Sequence, residues 1–228
     1  MTQWTIDPTN PGEVLACCGI AYLAWVADRT AATGFIRDGG WRFQAPDGVL
    51  DGLAPARPVA TADGLALGGL ALDWWQPWGL NPDLKTWAGQ QTALSVHRNL
   101  AEAAAARPAA DWQTWSATTT GRLNLDLHGT WNALAIGWSL NEHKDREMLC
   151  RPWLELLASL GLQAFPVGGG RRGGFRYHLW RPAPLAAAVA AFQGDGPGIY
   201  ALCGFVAQTG KLGSNTMLLK AVADPVTR

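Results

Sequence analysis

The sequence has little charge, few cysteines and histidines, and no long uninterrupted apolar segment. Only 16% of the 228 residues are charged, and 18 basic side chains balance 18 acidic ones. Zero net charge argues against a stand-alone nucleic-acid-binding protein, because such proteins are usually basic. No apolar run reaches the roughly 18 to 20 residues of a membrane span, and the first residues lack the basic start and apolar core of a signal peptide. We therefore expect a folded, cytoplasmic protein without a membrane partner.

Cysteine and histidine each occur four times, in spacings that do not suit a metal site. No CxxC, HxxxH or HExxH motif is present, and a structural zinc site needs four converging ligands. We therefore expect no metal or nucleotide cofactor, and we interpret the cysteines as reduced core residues: Cys17, Cys18, Cys150 and Cys203. The absence of GxSxG and Walker-type motifs lowers the expectation of an enzyme without excluding one.

Tryptophan and arginine are the distinctive residues. The 13 tryptophans suit a compact core or a partner interface, since each has a large apolar body and one N–H group. Residues 1–84 contain four basic and nine acidic side chains, whereas residues 85–228 contain fourteen and nine. Arginine binds phosphate bidentately, although an ordinary surface with paired charges explains the excess equally well. The arginines cluster at Arg146, Arg151, Arg171, Arg172, Arg176 and Arg181.

The first 45 residues predict the order strand, helix, strand, strand. Gln3 to Ile6 forms a short strand, and a buried helix follows in which Asn10 is the cap, Pro11 is the first residue and Glu13 has capping-box spacing. Residues 34–45 predict a hairpin that turns at Asp38-Gly39-Gly40. This opening is typical of a ferredoxin-like, RAMP-like βαββ unit.

The middle of the chain predicts further helices and strands. We expect a strand over 70–75, strands or a hairpin within 109–140, and a polar loop over 141–151. A second helix is expected from Asn81 and Pro82 to the alanines before Pro108, with His97 outside its inward stripe. That stripe consists of Leu84, Trp87, Gln91, Leu94 and Arg98.

The last third predicts a helix from Pro152 to Gly161, then a strand, a helix over 184–192 and two final strands over 199–208 and 215–222. The whole chain is predicted to be one α+β domain over 1–228 with additional helices and antiparallel strands. A division into an acidic, tryptophan-rich part (1–120) and a basic part (121–228) stays open, as does a duplicated ferredoxin-like arrangement.

The glycine-arginine segment 168–174 is the most suggestive local motif. Glycines allow close backbone approach, so N–H groups together with Arg171 and Arg172 suit a phosphodiester chain. A flexible, solvated connection is the alternative. Arg176 and His178 are expected on one face of the next strand, which suits contact with single-stranded nucleic acid or a subunit interface.

Three segments together resemble a known family. They are DPTNPGEVLACCGIAYLA at 7–24, LKTWAGQQTAL at 84–94, and WNALAIGWSLNEHKDREMLCRPWLELLASLGLQAF at 131–165. They are similar to the CRISPR-associated subunit family of type I-G systems, formerly type I-U. The resemblance implies a component of a crRNA-guided Cascade-type interference complex in antiviral defence, with crRNA, target DNA and other Cascade subunits as partners. A separate helicase-nuclease would cut the target.

The resemblance leaves two roles open: a shortened large subunit, or a ferredoxin-like subunit related to the repeat-associated backbone proteins. Asn10, Pro11, Gly12, Trp87 and Trp153 match the family but have structural explanations. The polar residues that match the family are harder to explain by packing, because amides and cations prefer solvent or a polar partner. The predicted nucleic-acid contacts are Lys85, Gln90, Gln91, Arg98, Arg151, Arg171, Arg172 and Arg176, and no catalytic residue is predicted.

Two other hypotheses remain. The first is a metal-independent CRISPR RNA-processing endoribonuclease of ferredoxin-like fold that uses a histidine such as His97 or His178. The second is an accessory subunit that joins the complex through protein contacts alone.

Overall fold

The computed structural model describes residues 1–51, 53, 59–61, 64–87, 91–127, 148–194, 199–212 and 215–224. These residues form an α+β fold, as the sequence predicts, with four α-helices and thirteen strands. The helices are α1 (Pro11–Ala27), α2 (Ala93–Ala104), α3 (Pro152–Ala164) and α4 (Leu185–Phe192).

The strands form antiparallel sheets. They are β1 (Thr2–Thr5), β2 (Ala32–Arg37), β3 (Trp41–Ala45), β4 (Val59–Thr61), β5 (Gly64–Leu67), β6 (Leu70–Leu72), β7 (Ala117–Thr119), β8 (Met148–Cys150), β9 (Gly168–Gly170), β10 (Gly174–Trp180), β11 (Ala183–Pro184), β12 (Ala201–Leu212) and β13 (Asn215–Ala223). The sheet orders are β1-β3-β2-β11, β13-β12-β10-β9, β4-β5-β6 and β7-β8.

The N-terminal unit has the predicted order β1, α1, β2, β3. The central strand β3 pairs antiparallel with both β1 and β2, so β1 and β2 run parallel and α1 connects them. The Asn10 side chain caps α1 by accepting the Gly12 N–H at 3.2 Å, as expected. Glu13 does not close a capping box, because its carboxylate accepts the N–H of Asp7 at 2.9 Å.

Helix α1 packs against α3 through two glycines. A Cβ on Gly19 would overlap the backbone carbonyl of Leu157, and a Cβ on Gly161 would overlap the carbonyl of Leu15. The prediction that the third helix ends at Gly161 is therefore wrong: α3 continues to Ala164. Gly161 lets the two helix backbones approach closely and does not terminate the helix.

The second predicted helix is divided. Pro82–Leu84 forms a single 3₁₀ turn, and Lys85 is extended. Helix α2 begins only after Thr92, which forms a capping box with Ser95. The later start changes which side chains face inward, so the predicted stripe is wrong for Leu94 and Arg98, which are exposed. The buried side of α2 comprises Val96, His97, Leu100, Ala101 and Ala104.

The structure also differs from the sequence predictions at two expected strands and at one expected loop. Residues 121–127 form no strand, because Asn124 has φ of 58° and the N–H groups of Leu125 and Asp126 donate to the Glu155 carboxylate. Trp74 and Trp75 lie in a turn after β6. β8 falls within the predicted polar loop over 141–151, and the expectations for 128–147 lie outside the described residues.

The C-terminal sheet follows the prediction closely. β10 pairs with β12, and β12 pairs with β13. The inner face of β10 joins an aromatic core in which Trp180 contacts Phe35 edge-on, with ring centroids 4.9 Å apart, and stacks on Phe165 at 5.2 Å. The indole N–H of Trp180 donates to the carbonyl of Thr33 at 2.9 Å. The two four-stranded sheets therefore share this core.

Candidate nucleic-acid interface

The glycine-arginine segment is an ordered hairpin. β9 pairs antiparallel with β10, and Arg171 to Gly173 form the turn between them. Gly169 and Gly174 both have φ of 82°, and a Cβ on Gly169 would overlap the Gly174 carbonyl. Glycine is therefore required at position 169, where the two strands of the hairpin approach closely. The segment therefore forms a regular β-hairpin with a solvent-exposed turn and is not an irregular connection.

Contacts on both sides fix the turn. The Arg171 Nε–H donates to the backbone carbonyl of Asp83 at 3.0 Å. The Arg171 carbonyl accepts a hydrogen bond from the Thr209 hydroxyl at 2.9 Å. The hairpin is thus tied to the 3₁₀ turn on one side and to β12 on the other.

The hairpin lines an open pocket of about 520 Å³ together with Asp83. Three arginines and one acidic residue line the pocket, and Arg171, Arg172 and Arg176 are all exposed. Within the described part of the chain, Arg172 and Arg176 make no ion pair. A pocket with excess guanidinium groups and glycine backbone suits an anion of phosphate type.

The other predicted contacts are dispersed. Lys85 is exposed two residues after Asp83, with its Nζ 5.4 Å from the Trp87 ring centroid. Gln91 is half-buried and donates to the Thr120 carbonyl at 3.3 Å. Arg98 is exposed on α2, and Gln90 lies outside the described residues. The structure therefore brings together Arg171, Arg172 and Arg176. Lys85 directly follows the 3₁₀ turn Pro82–Leu84, which Arg171 contacts through Asp83.

Arg151 lies in the interior. Its guanidinium forms two hydrogen bonds with Asp126, at 2.7 and 2.6 Å, and a third with Glu13 at 3.0 Å. The Arg151 side chain is only 10% exposed, and Asn10 donates to the same Asp126 carboxylate at 2.8 Å. These contacts connect the start of α1, the 121–127 segment and the start of α3, so Arg151 has a structural role.

Glu155 lies beside this network and was missed by the sequence analysis. Its carboxylate is fully buried and accepts the N–H groups of Leu125 and Asp126, each at 3.1 Å. Burial and the nearby Asp126 carboxylate raise the pKa of Glu155 to about 7, while Arg122 opposes the rise. No sequence pattern identifies Glu155 as buried, because a glutamate in the first turn of a helix is common and is usually exposed.

Both histidines named for catalysis are buried. His97 packs against Trp75, with ring centroids 5.8 Å apart, and burial lowers the pKa of His97 to about 4. The Nδ1 atom of His178 lies 3.2 Å from the Phe192 carbonyl. Neither ring is placed to reach a substrate, because a general base must come within hydrogen-bonding distance of the proton it takes.

The cysteines match their predicted core role. Cys17, Cys18 and Cys150 are buried, Cys203 is partly buried, and all four are free thiols. Burial raises the pKa of Cys17 and Cys18, which makes them unreactive. No group of three or more His, Cys, Asp or Glu side chains suited to a metal ion occurs in the described residues.

Comparison with known proteins gives no assignment: no family model, curated protein or solved structure matches this chain. Of the helices that the structure describes, none has the length and apolar character needed to cross a bilayer.

Proposed function

We propose that this chain is a non-catalytic subunit of a type I CRISPR-Cas interference complex that contacts crRNA or target DNA through its arginine hairpin. Support for the complex comes from the sequence resemblance over residues 7–24, 84–94 and 131–165. Support for the contact comes from one observation: Arg171, Arg172 and Arg176 line a single open pocket on an ordered hairpin.

The charge balance explains why such a subunit would act within an assembly. The chain has zero net charge, so it lacks the long-range attraction that brings a basic protein to nucleic acid. A local cluster of guanidinium groups then contributes phosphate contacts once other subunits hold the nucleic acid nearby. In such complexes, base pairing reads the target sequence and the protein holds the backbones.

We further propose a ferredoxin-like, RAMP-like origin for the N-terminal unit. The β1-β3-β2 order with α1 connecting parallel β1 and β2 is the first half of a split βαβ arrangement. The fourth strand of this sheet, β11, lies beyond β2, whereas a complete ferredoxin-like sheet would place a strand beyond β1. The βαββ opening favours the backbone-related role over the shortened large subunit, whereas the position of β11 departs from the ferredoxin-like pattern.

The ribonuclease hypothesis has less support. Its named histidines are buried, and a pKa of about 4 leaves His97 neutral at physiological pH, so it lacks the imidazolium proton that a general acid donates. The accessory-subunit hypothesis predicts that the arginine pocket does not contact nucleic acid. The charge-reversal experiment described below distinguishes it from our proposal.

Co-purification tests the proposal. The tagged chain is expressed with the neighbouring interference genes and a repeat-spacer array, and we expect it to elute with the other subunits and crRNA. Omitting the chain should abolish target-DNA binding by the complex. Elution of the chain without partners contradicts the assignment to the complex.

Charge reversal tests the contact. R171E/R172E should weaken binding of nucleic acid by the assembled complex while the subunit still co-elutes. R29E/R37E is the matched control, since it makes the same charge change at two exposed arginines on other elements. Equal binding by the two double variants would support an accessory subunit and overturn the arginine contact.

A further inference from the structure

Trp78 is an exposed aromatic side chain on the loop that precedes Asp83, a residue of the arginine pocket. It is 76% exposed, whereas Trp74 and Trp112 are fully buried. Leu80, two residues later, is 50% exposed. Exposing a whole indole to water is unfavourable, so an exposed tryptophan on an ordered loop commonly marks a contact surface.

The loop that carries Trp78 is fixed at both ends. At its start, the Gln163 side chain accepts the Asp73 N–H at 2.9 Å and donates to the Asp73 carboxylate at 2.6 Å. At its end, the Asn81 N–H donates to the Trp74 carbonyl at 3.0 Å. Gly79 lies against the backbone between these points, where a Cβ would approach the Asp73 carbonyl to 2.5 Å. Trp78 is therefore presented by a closed loop.

The same loop is joined to the arginine hairpin twice. The Asn81 side chain accepts the N–H of Val167, the residue before β9, at 2.8 Å. The Asp83 carbonyl accepts the Arg171 side chain at 3.0 Å. Since Asp83 is five positions after Trp78, their Cα atoms lie within about 18 Å of each other. The Trp78 loop and the arginine hairpin are thus held together by these contacts, and the surface considered below consists of these two elements.

The chemistry of this surface favours a single strand over a protein. Single-stranded nucleic acid is bound by cationic grooves for its phosphates and by aromatic side chains on which bases stack. A duplex offers phosphates but keeps its bases stacked internally. The excess of guanidinium groups in the pocket is complementary to phosphate.

We propose that this surface binds a single strand, with a phosphate in the pocket formed by Arg171, Arg172 and Arg176 and an unpaired base stacked on the Trp78 indole. The inference rests on the proposed function and adds the ligand class: a strand with at least one unpaired base, either the crRNA or a displaced DNA strand.

Fluorescence anisotropy with the full chain at low salt tests this. The probes are labelled oligoadenylate RNA and DNA of about 12 nucleotides, within the usual range of site sizes, the corresponding duplex, and an abasic strand of equal charge. W78A should weaken binding of the RNA or DNA single strand by about five- to 150-fold, the effect of losing one stacked base. W78F should recover most of the affinity.

Two comparisons separate stacking from other effects. W78A should not change affinity for the abasic strand or the salt dependence, whereas R171E/R172E should reduce both affinity and salt dependence. W25A is the matched control, because Trp25 lies on α1, away from the Trp78 loop, and has a cation beside it: the Arg29 guanidinium carbon is 3.5 Å from its ring centroid. Thermal melts establish that each variant is folded.

The possible failures are distinguishable. If the unaltered chain binds no oligonucleotide at low salt, this inference fails, while the proposed contact is still decided by charge reversal in the assembled complex. If R171E/R172E binds as well as the unaltered chain, the proposed contact fails and this inference fails with it. If binding needs the arginines but W78A binds normally, only the stacking site is overturned. If W78A binds normally but no longer co-elutes with the complex, the loop is a protein-docking surface instead.

Discussion

At the scale of single residues, the arginines of this protein have opposite surroundings. Arg172 and Arg176 are exposed beside a pocket, whereas Arg151 is enclosed by Asp126 and Glu13. The sequence does not distinguish these arginines, because a guanidinium alone carries no information about burial. What separates them is the position of acidic residues that are distant in sequence.

We expect Arg151→Ala to destabilise the fold by about 3–5 kcal/mol, because it removes the buried guanidinium that pairs with the carboxylates of both Glu13 and Asp126. Chemical denaturation monitored by circular dichroism measures the change. Arg98→Ala, at an exposed position on α2, should change stability by no more than about 0.5 kcal/mol. Equal effects of the two substitutions would contradict the structural role of Arg151.

Glu155 should make stability depend on pH. Its folded pKa of about 7 lies above the ordinary value of 4.5, so the folded state binds the proton more tightly than the unfolded state. The free energy of unfolding therefore falls as pH rises from about 4.5 to about 7, and the loss persists above pH 7.

Glu155→Gln removes this titration, while its amide oxygen can still accept from Leu125 and Asp126. The stability of the Glu155→Gln variant relative to the unaltered protein should rise across that pH window, as measured by urea denaturation at each pH. Glu102→Gln, at an exposed position on α2, is the control. A constant difference from pH 4.5 to 7 would refute the assignment.

At the scale of elements, the contact between α1 and α3 depends on two glycines. Gly19→Ala or Gly161→Ala should lower the midpoint of thermal unfolding strongly, because the new Cβ would force the helix backbones apart. Overpacking of this kind costs about 1–3 kcal/mol or more. Gly40→Ala is the matched control, since a Cβ there meets nothing within 4 Å. Similar midpoints for Gly19→Ala and Gly40→Ala would count against this contact.

The elements themselves were largely predictable where local signals agree. Asn10, Pro11 and the hairpin turn at Gly39 identify the N-terminal unit, because capping and turn chemistry act within a few residues. The second helix was placed too early because Asn81 looks like a cap. Its side chain instead donates to the carbonyls of Leu162 and Phe165, at 2.6 and 3.0 Å.

At the scale of the whole molecule, the arrangement of charge matters more than its total. Zero net charge coexists with a local cluster of guanidinium groups, so affinity should be modest and sensitive to salt. Each phosphate contact to a single strand contributes about 0.7 to the slope of log K against log salt concentration.

R171Q/R172Q should therefore reduce that slope by about 1.4, with the assembled complex titrated against single-stranded nucleic acid from low to high salt. R29Q/R37Q should leave it unchanged. An unaltered slope in R171Q/R172Q would mean that these arginines do not contact phosphates.

Part of the candidate site was therefore predictable and part was not. The motif over 168–174 stands out in sequence because glycine and arginine are concentrated there. Asp83 and Asn81 do not, since they join the hairpin through hydrogen bonds to residues more than 80 positions away. Trp78 does not either, because its sequence does not distinguish it from the buried tryptophans.

The sequence by itself determined the α+β class, the N-terminal β1-α1-β2-β3 order and the C-terminal strands, because these depend on local periodicity, caps and turns. Only the tertiary structure decided which polar residues are buried and which share a surface. Burial of Arg151 and Glu155, and the joining of the Trp78 loop to the arginine hairpin, arise from contacts between distant segments. Such contacts leave no periodic or local signal in the chain.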